Sequence, residues 1–126
     1  MDNATIEQTV LAHYRSGSYF GKIIEDRGER YLVEVLAVKK HPLQGDLHNY
    51  GETENVFFHQ RKALSYKEKM NVSKSAVHIH DEEIPIYKDS LKQAVDALKT
   101  KLSKDDKPFN HAALNSLKEL EKYYFE

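Results

Sequence analysis

Three short runs in this sequence carry side chains with chemistry to offer. In His41-Pro42-Leu43-Gln44-Gly45-Asp46-Leu47-His48-Asn49, two imidazoles and a carboxylate fall within eight positions. Such a set has the donor atoms of a metal site, yet its spacing matches no zinc signature. The plainer reading is a loop: Pro42 fixes one backbone angle, Gly45 permits a reversed one, and Asp46 or Asn49 caps local amides. In His78-Ile79-His80-Asp81-Glu82-Glu83, a strand would put His78 and His80 on one face, where two imidazoles can converge on an ion. The same alternation describes an edge strand with Ile79 inward and two hydrated histidines outward. In Phe57-Phe58-His59-Gln60-Arg61-Lys62, His59 and Arg61 share a side, a pairing able to hold a phosphate or carboxylate. Arg61 can equally serve only to hydrogen-bond the loop that precedes it.

Catalysis finds little else to stand on. The five glycines form no phosphate-cradling loop, and there is neither a G-x-S-x-G elbow nor an H-E-x-x-H helix. Glu82 and Glu83 are adjacent, so on regular structure they diverge rather than flank a scissile bond. The expectation is a protein that is not an enzyme and needs no cofactor.

Composition narrows the field further. The chain has 126 residues, enough to bury a core without staples, and no cysteine. That removes disulfides, thiolate metal sites, a cysteine nucleophile and any acceptor for cysteine lipidation within these residues. Lys and Arg number 19 against 20 Asp and Glu, a formal net charge of −1. Residues 1–66 hold 8 basic and 9 acidic side chains and residues 67–126 hold 11 of each, so neither half is a basic module. No nucleic-acid partner is therefore expected. The first ten residues carry Asp2 and Glu7 and no basic residue, and no run approaches the roughly 20 apolar residues of a membrane span. The expected location is the cytoplasm, without direct membrane insertion.

The elements that would position these runs follow from periodicity. Val10, Ala12 and Tyr14 alternate with Leu11, His13 and Arg15 in a first strand, and Ser16-Gly17-Ser18 reads as the turn after it. Tyr19, Gly21 and Ile23 mark a second strand, closed by the hairpin loop Asp26-Arg27-Gly28-Glu29. Tyr31 to Val38 is apolar on nearly both faces, which predicts a central, covered strand. A polar loop from His41 to Asn55 follows, long enough to suggest a function. Lys62 to Lys67 reads as a fourth strand, Asn71 to Ser75 as a tight turn and Ala76 to His80 as a closing strand. Five short strands in this spacing fit a small SH3-like barrel, though periodicity does not separate it from OB-type barrels.

From Pro85 the period becomes helical. Tyr87, Leu91, Ala94, Val95, Leu98 and Leu102 make one apolar stripe, and Ser103 to Pro108 breaks the helix. Asn110 is placed to cap a second helix with Ala113, Leu114, Leu117, Leu120 and Tyr124 inward. The expected organisation is thus mainly β with an α extension: a barrel over residues 1–83 and a helical hairpin over 84–126. The helical stripes must be buried on each other, on the barrel or on a partner, a second copy included. Leaving several leucines in water would cost several kcal/mol at about 25 cal/mol per Å².

Val35 to Asn49 (VLAVKKHPLQGDLHN), followed by Phe57 to Tyr66 (FFHQRKALSY), resembles the kinase-associated lipoprotein B family of Bacillus-type bacteria. Ala12 to Ile23 and Ile84 to Leu91 fit the same family, so the likeness spans nearly the whole chain. The resemblance implies an SH3-like barrel with a helical extension. It also implies a non-catalytic accessory that supports a membrane sensor histidine kinase in the phosphorelay that initiates sporulation, recruited by that partner to the inner face of the membrane. No catalytic residue carries over from the family. The expected contact surface is His41, Gln44, Gly45, Asp46, His48, His59 and Arg61. The alternative is a metal-binding protein or metal-dependent enzyme drawing on His41, Asp46, His48, His78 and His80.

Overall fold

A computed structural model describes residues 4–45 and 58–125. Five antiparallel strands, β1 (Thr9–Tyr14), β2 (Gly17–Asp26), β3 (Arg30–Lys40), β4 (Lys69–Ser73) and β5 (Val77–Ile79), form one sheet in the order β4-β3-β2-β1-β5. Two helices follow, α1 (Tyr87–Leu102) and α2 (Pro108–Phe125). The chain is therefore mainly β with C-terminal helices, as its periodicity predicts. The ladder is not closed: β4 and β5 are its two edges, joined by a single 3-10 turn over Lys74–Ala76. With three residues, β5 reaches only β1, pairing Val10 with Ile79 and Ala12 with Val77.

Alternation decides which faces are buried. Val10 and Ala12 of β1, Ile23 of β2, and Val33, Val35 and Ala37 of β3 are fully inaccessible. Met70 and Val72 of β4 complete this core, and α1 lays Leu91, Ala94 and Val95 upon it. Leu98 and Leu102 at the far end of α1 pack instead with Phe109, Ala113 and Leu117 of α2. Both helical stripes thus find their cover within the chain. Lys88 with Tyr124, Lys92 and Lys99 with Glu121, and Leu102 with Asn110 meet in antiparallel order.

Four local expectations need correction. The first turn is Arg15–Ser16, because Tyr14 pairs with Gly17, which is already in β2. A Cβ at Gly17 would lie 2.7 Å from the Tyr19 hydroxyl, so the glycine serves close packing rather than the turn. Lys62 to Lys67 is not a strand; its place at the sheet edge is taken by Lys69–Ser73, and the turn expected at Asn71 to Ser75 shifts to Lys74–Ala76. The reason is that backbone groups of Arg61, Ala63 and Leu64 bond to side chains instead of a ladder. Asn110 does not cap α2, which begins at Pro108 with the fixed φ that suits a first helical turn. Its amide donates to the Leu102 carbonyl at 2.8 Å and so caps the end of α1.

Candidate functional site

The polar loop residues that follow β3 turn inward. Gln44 is 1% exposed and meets four partners. Its Oε1 accepts from the Arg61 N–H at 2.9 Å and from Ser116 Oγ at 2.8 Å. Its Nε2 donates to the Arg61 carbonyl at 2.9 Å and to the Pro42 carbonyl at 3.0 Å. A buried amide with every donor and lone pair used fixes its surroundings, since each lost bond would strand a polar group. Loop, the segment around Arg61, and α2 are thereby tied at one side chain.

His41 is a second tie, 3% exposed. Its Nδ1 lies 2.9 Å from the Pro42 carbonyl and its Nε2 lies 2.8 Å from the Tyr124 hydroxyl. That hydroxyl accepts from the Ala63 N–H at 2.8 Å. The assignment consistent with all three bonds is a neutral imidazole: Nδ1–H donates to Pro42, and the Tyr124 proton is given to Nε2. Burial depresses the His41 pKa, opposed in part by the bond to the Pro42 carbonyl, and burial raises that of Tyr124 to about 12. Tyr19 and Tyr87 complete the arrangement: the Tyr19 hydroxyl accepts from Leu64 N–H at 3.3 Å, and the Tyr87 hydroxyl donates to Leu64 O at 2.6 Å.

These ties hold the floor and one wall of a cleft of about 350 Å3. Tyr14 at the end of β1 and Arg15 and Ser16 of the β1–β2 turn line it together with His59, Gln60, Arg61 and Lys62, and Tyr19, Pro42 and Leu64 complete the lining. His59 and Arg61, paired by their spacing in the sequence, do line the same cleft. Arg61 Nη1 also grips the loop, donating to the carbonyls of Gly45 and Leu43. Among the sequence-predicted contact residues, His41, Gln44 and Gly45 are buried beneath this surface, His59 is exposed and Arg61 half-buried. Asp46 and His48 lie outside the described residues. Sequence reasoning passed over Arg15, taken as one more alternating strand residue, and Lys62, taken as the start of a strand. The signal available for Arg15 was its place before Ser16-Gly17, where the chain must reverse.

The metal alternative, of whose residues Asp46 and His48 lie outside the described ones, finds no cluster among the rest. Among the described residues no three of His, Cys, Asp and Glu come together in a ligating group. Both His41 nitrogens are hydrogen-bonded. His78 stacks edge-on with His13 at 5.6 Å, and His80 packs on Phe20 at 4.6 Å.

An open antiparallel sheet followed by two C-terminal helices is a fold this chain shares with a known family. The family model described as Kinase associated protein B matches residues 14–125, and the chain belongs to that family. Kinase-associated lipoprotein B of Bacillus subtilis (strain 168) is 41% identical over 116 residues, which cover 92% of this chain and 91% of that protein. The crystal structure of kinase-associated protein B from Bacillus cereus superposes with a TM-score of 0.82 at 33% identity, over 96% of this chain and 97% of the other.

Proposed function

We propose that this chain is a non-catalytic accessory of a membrane sensor histidine kinase in the phosphorelay that initiates sporulation. The observation that carries this reading is the near full-length match to proteins named for their association with a kinase. The chain acts at the inner face of the membrane, brought there by the kinase. No helix among the described residues is long and apolar enough to cross a bilayer, and the 126 residues hold no cysteine for a thioether lipid. Docking uses the face where His59 and Arg61 line the cleft, together with Asp46 and His48, which follow Gly45 in the sequence, while His41, Gln44 and Gly45 support that face from beneath.

Calorimetric titration of the protein with the purified cytoplasmic part of the sensor kinase from the same organism tests this. Saturable binding with a Kd of about 10 μM or tighter, roughly −7 kcal/mol, is expected. Absence of any heat of binding across that range defeats the docking reading. Combining charge reversal at Asp46 with His59→Ala changes the affinity if the assigned face is right, and leaves it unchanged if docking occurs elsewhere.

A further inference from the structure

The cleft carries a charge that the chain as a whole lacks. The formal net charge is −1, yet Arg15, Arg61 and Lys62 line one cleft that no Asp or Glu lines among the described residues. Glu119 enters only at second hand, through its 3.1 Å bond from the Gln60 amide. Ion pairs elsewhere engage Lys22, Arg27, Lys69, Lys74, Lys92 and Lys99, but none engages Arg15, Arg61 or Lys62 among the described residues. Like charges gathered in a concave site focus the field outward and raise the local concentration of anions.

Each cation is held there by a separate device. Arg15 sits at φ 55, a left-handed conformation unfavourable for a side chain with a Cβ, and its guanidinium lies 5.0 Å from the Tyr14 ring centre. The Lys62 ammonium lies 4.3 Å from the Tyr123 ring centre. Arg61 anchors through Nη1, while its Nε and Nη2 make no hydrogen bond among the described residues. That leaves one edge of a guanidinium fork suited to a carboxylate.

The backbone of the same wall says which kind of anion fits. Arg61, Ala63 and Leu64 have their backbone groups taken by Gln44, Tyr124, Tyr19 and Tyr87. The backbone N–H and C=O groups of the intervening Lys62, and of Gln60, form no hydrogen bond among the described residues. A wall offering main-chain donors and acceptors between cationic side chains matches a peptide, which can pair with both, better than a free ion. We propose that this cleft binds an acidic peptide segment, its carboxylates on Arg15, Arg61 and Lys62 and its main chain along Gln60 to Lys62. Resting on the docking reading above, the segment belongs to the kinase.

Fluorescence anisotropy with fluorescein-labelled hexaglutamate tests the ligand chemistry directly. Saturable binding at about 50 mM NaCl that falls steeply by about 500 mM is expected. Arg15→Glu with Lys62→Glu should weaken it at least about tenfold, with the variant's folding checked by its thermal transition. Arg15→Gly supplies a second arm: relief of the positive φ raises Tm, while the lost cation weakens peptide binding. Failure of hexaglutamate to bind, or binding that both variants retain, overturns the proposal. So does inorganic phosphate displacing the peptide at equal concentration, which would mark an oxyanion site without peptide recognition, or binding to phosphatidylserine vesicles alone. If the kinase binds in calorimetry and hexaglutamate neither binds nor competes, the acidic-peptide proposal falls and docking stands. If hexaglutamate binds the cleft and the kinase does not bind, docking falls and the cleft's ligand chemistry stands.

Discussion

Gln44 and Arg61 pair as two strand residues would, except that one partner is a side chain. The Arg61 N–H donates to Gln44 Oε1 and the Arg61 carbonyl accepts from Gln44 Nε2, both at 2.9 Å. A primary amide has the same donor and acceptor as a peptide unit, so it can stand in for a neighbouring strand at a single residue. The segment around Arg61 is therefore positioned without a ladder, and the cleft wall it forms depends on one glutamine.

Replacing that glutamine should destabilise the fold strongly. Gln44→Leu keeps the volume but strands the Arg61 N–H, the Arg61 carbonyl and the Ser116 hydroxyl, for a loss of about 2–4 kcal/mol. Gln44→Glu still accepts but cannot donate to Arg61 O and Pro42 O, so it should be no milder. The shift of the urea midpoint at constant slope measures both.

Tyr124→Phe removes one oxygen that serves Ala63 N–H and His41 Nε2 together. A loss of about 1–3 kcal/mol is expected, because both partners are left unmatched in partly buried surroundings. Tyr123→Phe is the control: Tyr123 is 68% exposed and its hydroxyl makes no bond among the described residues, so its variant should unfold at the wild-type midpoint.

His41 predicts a pH dependence with a definite sign. Burial lowers its pKa in the folded state below the ordinary 6.5, so the unfolded chain binds more protons as pH falls past 6.5. The stability it contributes is complete above that pH and is lost as pH drops toward the folded-state pKa, by at most about 1.4 kcal/mol per pH unit. Asp26, held low by Lys74 and the Gly28 N–H, acts in the same direction but only below its ordinary 3.8. Thermal unfolding at about pH 7.5 and about pH 5 should show a lower Tm in acid, and His41→Gln should flatten that difference.

Two glycines with positive φ should respond differently to alanine. Gly45 has φ +101, and a Cβ there would stand 2.7 Å from Phe109 Cε2 and 3.2 Å from Phe58 Cε2. Gly28 has φ +86 and open space around it. Gly28→Ala should cost about 1 kcal/mol from the backbone alone, and Gly45→Ala about 2–4 kcal/mol because overpacking adds to it. Equal losses in calorimetric melts would contradict this account of Gly45.

Much of the fold is legible where burial follows polarity. Val33, Val35 and Ala37 alternate as a buried strand must, and Leu91, Val95, Leu98 and Leu102 recur as a buried helix must. The segment around Ala63 is illegible for the opposite reason: its backbone partners are side chains 17, 45 and 61 residues away, and no local pattern encodes them. β4 was hidden because only Met70 and Val72 of its five residues are apolar and buried. His41 and Gln44 read as a contact surface because polar side chains are usually exposed; that they are buried and fully hydrogen-bonded depends on Tyr124 and Ser116, which only the folded chain brings near. His59 and Arg61, by contrast, were placed on a common side by spacing alone, and they line one cleft.

The Tyr124 hydroxyl gives the Ala63 amide an unusual clock. That proton is shielded by no strand, only by a side chain in the last turn of a helix that ends at Phe125. Its exchange with solvent deuterium is therefore governed by fraying at the carboxyl end of α2, some 61 residues away in the chain, and not by opening of the sheet. One amide in the middle of the sequence thus reports the grip of the C-terminal helix, and anything that seizes or releases that helix end will be read there first.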